Sequence, residues 1–474
     1  MEYSKETEAF ITNYVKALKE KNAVVFAGAG MSIADGFFDW KTLLKPVAER
    51  LGLNIEDEQH DLPALAQYFV DYQGNVRNEL TQILVEEYNR TNTTISENHK
   101  ILARLPIQIF WTTNYDSLIE TALKNEGKTP DVKKSNSNFS INIPKRDAIV
   151  YKMHGDIDSA HETVLTKHEY EDYNKSRELF SNAFKSDYVA RTFLFIGFGF
   201  SDPNLDFLIS RIRTILGNET KTGYYFIKKE TDELKKRKQE LKAKSLLRYG
   251  LNAIWIDDYT YITKILKEIE IRLKRNTILI SGSAEVYKPF ETDVAIDFIH
   301  ELSKEISKSN YKVLTGFGLG VGSAVINGVL DNMEHQNNQN LDNYLIMRPF
   351  PQFQTKGKDK KALWADYRQK FIPLAGIAIF VFGNKNLKPD GSYEIADGME
   401  KEFVIAIQSG LKVIPIGATG YVAKELWDNV WANLDGYFEN ASDIKDEFIK
   451  IGEAKELNGE LIKSVIKIIN LLNK

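Results

Sequence analysis

VVFAGAGMS runs from Val24 to Ser32: a short apolar run that ends in small residues and a serine. An apolar run followed at once by glycines reads as a buried strand turning sharply into a helix. At such a corner, open α/β sheets present backbone N–H groups and a helix N-terminus to an anion. Gly28 and Gly30 would let the backbone approach a pyrophosphate with no Cβ in the way, and Ser32 adds a hydroxyl. A second corner of the same kind, YKVLTGFGLGVGS, occupies Tyr311 to Ser323. Gly316, Gly318, Gly320 and Gly322 make it richer in amides than the first, and it lacks the lysine of a Walker A loop. Two corners in one chain predict two nucleotide sites.

The chain around these corners alternates apolar runs with helical patterns. In the first half the runs are AVVFAG (Ala23–Gly28), IQIFWTT (Ile107–Thr113), AIVYKMHG (Ala148–Gly155), TFLFIGF (Thr192–Phe198), GYYFIK (Gly223–Lys228) and NAIWID (Asn252–Asp257). In the second half they are TILISGS (Thr277–Ser283), YKVLTG (Tyr311–Gly316), YLIMRPF (Tyr344–Phe350), IAIFVFG (Ile377–Gly383) and KVIPIG (Lys412–Gly417). Continuous apolar runs separated by helices argue for mostly parallel sheets covered on both faces. The predicted fold is therefore α/β, with two Rossmann-like domains. A helix-like stretch, Tyr259–Arg275, closes the first half, so the boundary is placed near Arg275, giving domains 1–275 and 276–474.

Composition narrows the function classes. A length of 474 residues is too much for one ordinary core. A formal net charge of −4 gives no general attraction to nucleic acid or anionic membrane. No apolar run approaches the roughly 20 residues of a spanning helix. The N-terminal MEYSKETEAFITNYVKALKE is an amphipathic charged helix and not a signal peptide. There is no cysteine, which removes disulfides, thiolate nucleophiles and cysteine-ligated metal. A cytoplasmic protein is expected, with no metal, nucleic-acid or membrane partner.

In a parallel sheet the informative residues follow the strands. WTTNYD (Trp111–Asp116) places an amide and a carboxylate at one strand end, KMHGD (Lys152–Asp156) a histidine at another, and GFGFSDPN (Gly197–Asn204) a third glycine-bearing corner. On these motifs the region of roughly residues 10–260 resembles the sirtuin (SIR2) family. GAGMSIADGFFDW, through Asp39, looks like the family's GAGIS loop, TTNYD like its TQNID motif, and HG like its catalytic histidine motif. The resemblance implies that Gly28, Ala29, Gly30 and Ser32 take a pyrophosphate. It implies that Asn114 and Asp116 hold the nicotinamide-side ribose and an attacking water. His154 would serve as general base or orient a ribose hydroxyl. The segment from Gly197 to Ser201 would hold the cofactor. The four zinc cysteines of deacylating sirtuins are absent, Lys41 replaces the family's arginine, and Gly197-Phe198-Gly199 replaces its GTS-like segment. These departures argue against deacylation and leave cleavage of the nicotinamide–ribose bond by water, a reaction in which a histidine suits the base role.

In the second half, SGSA (Ser281–Ala284) ends a strand, Arg368 lies in a helical stretch, Lys385 follows VFGN, Glu402 lies on the next helix and Thr419 follows PIGA. This half resembles the SLOG family of Rossmann-like nucleotide sensors. A SIR2 domain joined to a SLOG domain looks like the effector family of the Thoeris antiphage defence system, over essentially the whole chain. That resemblance implies an NAD+-hydrolysing enzyme switched on by a cyclic ADP-ribose isomer made by a partner TIR-domain protein. Gly282, Ser283, Gly318, Gly320, Arg368, Lys385, Glu402 and Thr419 would line the signal site. It also implies homotetramers that assemble further on activation, and NAD depletion that stops the infected cell. Three other readings stay open on the residues alone: an NAD-dependent protein deacylase, a non-catalytic nucleotide sensor, and a nucleotide hydrolase centred on the second half.

Overall fold

The structure, a computed structural model, describes the chain except residues 1–2, 34, 38, 59–60, 90–93, 200–208, 210–220, 336–339, 354–356, 358, 390–391 and 474. It divides into two compact units, Met1–Glu270 and Ile271–Lys474. The division falls inside the helix Thr260–Lys274, slightly before the boundary placed near Arg275.

The first unit is built on seven strands: β1 (Ala23–Ala27), β2 (Ile109–Thr112), β3 (Pro130–Lys133), β4 (Ala148–Lys152), β5 (Thr192–Ile196), β6 (Gly223–Lys228) and β7 (Leu251–Ile256). They form one sheet in the order β3-β4-β2-β1-β5-β6-β7, with every neighbouring pair parallel. β1 is buried at all five positions, as a central strand covered on both faces must be. β3 was not expected from sequence. Its residues, PDVK, alternate half-buried with buried positions at the sheet edge, so it carries no continuous apolar run. From β1 the chain steps to β2 on one side, and from β4 it returns to β5 on the other. The topological switch point is thus at the carboxyl end of β1, directly over the GAGMS corner.

The second unit repeats the design with β8 (Thr277–Ser283), β9 (Lys312–Thr315), β10 (Leu345–Met347), β11 (Ile377–Phe382) and β14 (Lys412–Pro415), in the order β10-β9-β8-β11-β14 and parallel throughout. A short antiparallel pair, β12 (Asn384–Lys385) and β13 (Glu394–Ile395), branches off after β11. All six residues of β11 are buried. They join the core of this unit with Ile299 and Leu302 from one flanking helix and Val465 and Ile469 from another. The switch point is at the end of β8, where Gly282 and Ser283 lie. No helix among the described residues is long and apolar enough to cross a membrane.

Candidate functional site

In the first unit, the corner after β1 and the corner after β5 lock together through backbone. Gly28 N–H donates to Ile196 O at 2.9 Å and Gly30 N–H to Gly197 O at 2.9 Å. Gly197 has φ +65°, and a Cβ there would meet Met31 N at 2.1 Å. The requirement for glycine here is close approach of two backbones. The Gly28 amide is taken by β5 and the Gly30 amide by Gly197 just past it, so neither is a free donor in this structure. Ala29 opens the short helix Ala29–Ile33. Asp39 is exposed, and its carboxylate caps the helix Trp40–Arg50 by accepting from Thr42 N at 2.7 Å. Ser201 lies outside the described residues.

The polar side chains converge over the switch point. Asn114 Nδ2 donates to Gly28 O at 3.1 Å and to Ser32 Oγ at 2.9 Å. Ser32 Oγ in turn donates to Asp116 Oδ2 at 2.8 Å, and the other oxygen of Asp116 accepts from Leu118 N. All three side chains are buried. A buried polar chain of this kind is satisfied only when complete, so it fixes the Asn114 amide relative to the β1 corner. His154, just past β4, is 0% exposed and sits among the rings of Trp40, Tyr170 and Tyr173. Its Nδ1 lies 3.5 Å from the Tyr170 hydroxyl.

Beside these expected residues stand others the sequence reading passed over. Lys152, in the same KMHGD motif as His154, is 0% exposed. Its Nζ donates to the carbonyls of Tyr115 and Asp116 and to Asp156 Oδ2 at 2.5 Å, with Glu120 Oε1 at 3.4 Å. Burial works against the ammonium, but Glu120 and Asp156 outweigh it and hold the Lys152 pKa above its ordinary value. Burial also pushes the Glu120 carboxyl up, against the pull of Lys152. A lysine inside an otherwise apolar strand was the available signal. Asp35, in the loop after the glycine corner, is buried with His99 Nδ1 at 3.0 Å. A cleft of about 890 Å³ opens on the β5–β6 side of the same corner, lined in part by Gly30, Gly197, Phe198, Lys228, Glu230 and Lys242. Its lining reaches the corner itself at Gly30 and Met31.

In the second unit, the loop after β9 lies over the end of β8. Ala284 N–H donates to Leu319 O at 2.8 Å, and the Tyr287 hydroxyl to Gly320 O at 2.7 Å. Gly320 has φ +68°, and a Cβ there would meet Ala284 O at 1.9 Å. Gly318 packs against Gly282 O in the same way. Among the described residues, the amides of Gly318, Leu319 and Gly320 donate to nothing. Three successive unpaired amides offer donors of the kind that bind an anion. Arg368 Nε donates to Glu402 Oε1 at 3.1 Å, Glu402 Oε2 accepts from Ser281 Oγ at 2.7 Å, and the guanidinium lies over the Phe350 ring at 4.8 Å. Burial raises the Glu402 pKa, while Ser281 and Arg368 oppose the rise. Lys385 pairs with Asp397, which it and Lys401 hold far below the ordinary carboxylate range. Ser283 Oγ donates to Asn384 O at 3.0 Å. Thr419 is 0% exposed, and its hydroxyl is fully used, accepting from Phe382 N at 2.8 Å and donating to Ile416 O at 2.7 Å. In this structure the side chain ties the end of β11 to the corner after β14. Among the described residues, one group, His300, Glu301 and Asp331, is close enough to share a metal ion, and Lys304 already pairs with Asp331 at 2.6 Å.

The sequence that builds these sites has known relatives. A family model described as "SIR2-like domain" matches residues 108–254, and one described as "Sir2- and TIR-associating SLOG family" matches residues 261–472. The chain is 47% identical to the NAD(+) hydrolase ThsA of Cytobacillus dafuensis, covering 98% of this chain and 97% of that protein. It is 42% identical to the NAD(+) hydrolase ThsA of Bacillus cereus (strain MSX-D12), over 98% and 96%. It is 37% identical to the NAD(+) hydrolase ThsA of Acinetobacter baumannii (strain 532279), over 99% and 100%. With identity at this level across both units, the chain belongs to the family of the NAD(+) hydrolase ThsA proteins.

Proposed function

We propose that the first unit hydrolyses NAD+ to nicotinamide and ADP-ribose, and that a cyclic ADP-ribose isomer bound by the second unit releases this activity. The observation that carries the reading is the Asn114–Ser32–Asp116 chain next to the His154 corner, all over the switch point of a SIR2-like sheet. Full-length similarity to proteins named NAD(+) hydrolase supports it. Nicotinamide leaves C1′ of the ribose with the bonding electrons, through an oxocarbenium-like state. Asn114 and Asp116 orient the ribose and the water, the water adds to C1′, and His154 takes its proton. Asp116 offers negative charge where positive charge develops.

His154 at 0% exposure, with Asn114 and Ser32 also buried, is what a shut site looks like. An enzyme that destroys NAD harms its host unless gated. The second unit offers the means: open amides at Gly318–Gly320 for a phosphate, and Arg368 and Lys385 as cations. Moving an equilibrium from 1:99 to 99:1 takes about 5.5 kcal/mol of differential binding. A doubly charged ligand that displaces Asp397 from Lys385 and engages the glycine loop in only one state supplies energy of that kind. In this reading NAD loss ends the infection by stopping a bacterial cell under phage attack, the signal comes from a TIR-domain partner, and the chain works as a homotetramer.

The test follows NAD loss by the purified chain, with and without each cyclic ADP-ribose isomer, beside His154→Ala and Lys385→Ala. Signal-dependent loss in the wild type that is absent in both variants supports two sites, one catalytic and one regulatory. Binding of NAD without turnover under every condition would replace the enzyme by a sensor. Sedimentation with and without the active isomer reads the assembly.

A further inference from the structure

We propose that Lys152 is a positioning residue for the reaction. Its single ammonium holds the loop that carries Asn114 and the loop that carries His154 at a fixed separation. The inference rests on the NAD-hydrolase reading and goes beyond the residues that touch substrate in it.

Lys152 ends β4, two residues before His154. A fully buried ammonium is costly unless every proton finds an acceptor. Here the acceptors come from both sides of the site. The carbonyls of Tyr115 and Asp116 belong to the loop after β2, immediately past Asn114. Asp156 belongs to the loop after β4, immediately past His154. Asp156 is held in turn, because its other oxygen accepts from Asp158 N at 2.8 Å and caps the turn that follows. Ile157 N–H also donates to Tyr115 O at 3.0 Å, so the two loops meet at a second point next to the first. Glu120, from the helix Leu118–Asn125, closes the cluster on the far side.

β2 and β4 are neighbours in the sheet, with Thr112 opposite Lys152, so the ladder fixes the strands but stops before either catalytic side chain. Past the ladder the loops need another tie. An apolar side chain could fill the space but could not bind two carbonyls and a carboxylate at once. The ammonium also offsets part of the negative charge that Asp116, Glu120 and Asp156 bring into one buried volume. Active-site groups must be held to within about 0.5 Å to be productive, and this tie is where that tolerance is set.

The experiment uses the full chain with the cyclic ADP-ribose isomer that activates the wild type, and compares Lys152→Met, Asp156→Asn and the double variant. Lys152→Met is expected to lower kcat by about 100-fold with KM for NAD within about threefold, since misplacement of reacting groups acts on the chemical step. Asp156→Asn, which keeps the shape and the lysine, is expected to lower kcat by about tenfold with the same KM. The double variant removes the stranded carboxylate and is expected to recover thermal stability without recovering kcat. A merely structural role predicts the reverse: kcat returns with stability in the double variant, which would overturn the proposal. So would kcat within about threefold of wild type in both single variants. Amide hydrogen exchange on the same proteins keeps the two readings apart. If the wild type cleaves no NAD under any condition, the hydrolase reading fails. The tether still stands if peptides over 113–118 and 153–158 lose protection together in Lys152→Met, and falls if only one of them does.

Discussion

The two glycine corners look alike in sequence and do different things in the structure. After β1, the amides of Gly28 and Gly30 are spent on β5 and on Gly197 just past it, and the glycines exist so that two backbones can touch. After β9, glycines also allow close packing, against Gly282 and Ala284, but the amides of Gly318, Leu319 and Gly320 stay open. The side chains around them differ in the same sense. Around the first corner, Asn114, Ser32, Asp116 and Lys152 form a closed, buried network. Around the second, the Lys385–Asp397 pair is partly exposed, while Arg368 and Glu402 are buried. A catalytic site needs fixed geometry, whereas a sensor needs contacts that change on binding. In the proposed function, one kind of corner serves both by where its N–H groups go.

The sharpest way to break this comparison is a Cβ at each corner. Gly197→Ala meets Met31 N at 2.1 Å and Gly320→Ala meets Ala284 O at 1.9 Å, and both glycines have positive φ. Each substitution is expected to cost its own unit about 3 kcal/mol or more, from backbone strain plus overpacking. Gly197→Ala should abolish NAD cleavage and NAD binding together. Gly320→Ala should abolish binding of the signal, read by calorimetry. If Gly320→Ala leaves signal affinity unchanged, the open amides are not the phosphate site.

Next in size is the buried Arg368–Glu402 pair. A place in the signal site alone would make Arg368→Ala cost only activation. The structure adds a stability cost, because Glu402 is left buried without its cation, and breaking such a pair costs about 3–5 kcal/mol when the remaining group stays charged. Glu402 escapes part of that cost by taking a proton. Its folded pKa is already raised by burial, and loss of Arg368 raises it further. A raised carboxyl pKa means the folded state binds the proton more tightly, so stability falls as pH rises from the ordinary carboxylate range through the folded pKa. The deficit of Arg368→Ala in thermal melts should therefore grow from pH 5 to pH 7.5. A deficit that does not change with pH would mean that Glu402 stays ionised in the variant. Ser32→Ala should cost less, roughly 1–3 kcal/mol for the Asp116 oxygen and Asn114 amide left without Ser32, and lower NAD cleavage more than NAD affinity.

Most of the architecture was legible because its strands are continuous apolar runs, many of them ended by glycine, which is how a doubly covered parallel strand reads. The edge strand β3 was not, because Pro130, Asp131 and Lys133 belong to a strand with only one crowded side. For the sites, residue types at strand ends named Asn114, Asp116, Ser32 and His154, and the structure brings the first three into one hydrogen-bonded chain. The hydrogen bonds were not legible. That Gly28 and Gly30 donate to β5 and to Gly197 just past it, that Thr419 is spent on backbone, and that Lys152 spans two loops all depend on which strands are neighbours. Neighbourhood is set by the strand order β3-β4-β2-β1-β5-β6-β7, which local sequence does not encode.

The smallest effect expected lies away from both corners and calibrates the others. Glu447 is buried on the helix Ala441–Glu453, and Lys467 holds it at 2.7 Å, with Lys450 at 3.1 Å. Hydrogen bonds from Lys467, Ser464 and Lys450 hold its pKa down to about 2. A carboxylate whose folded pKa is depressed contributes stability that is fully present above the unfolded value and is lost as pH falls towards the folded one. Both lysines are largely exposed, so solvent screens the pairs and the contribution is modest. Glu447→Gln should lower the melting temperature of the second unit slightly at pH 7, and the gap to wild type should narrow as pH falls from 5 towards 2. NAD cleavage and its activation should be unaffected at pH 7. If activation changes with this variant, charge pairs far from the glycine loop also bias the switch, and the contrast between a fixed corner and a responsive one extends to the whole second unit.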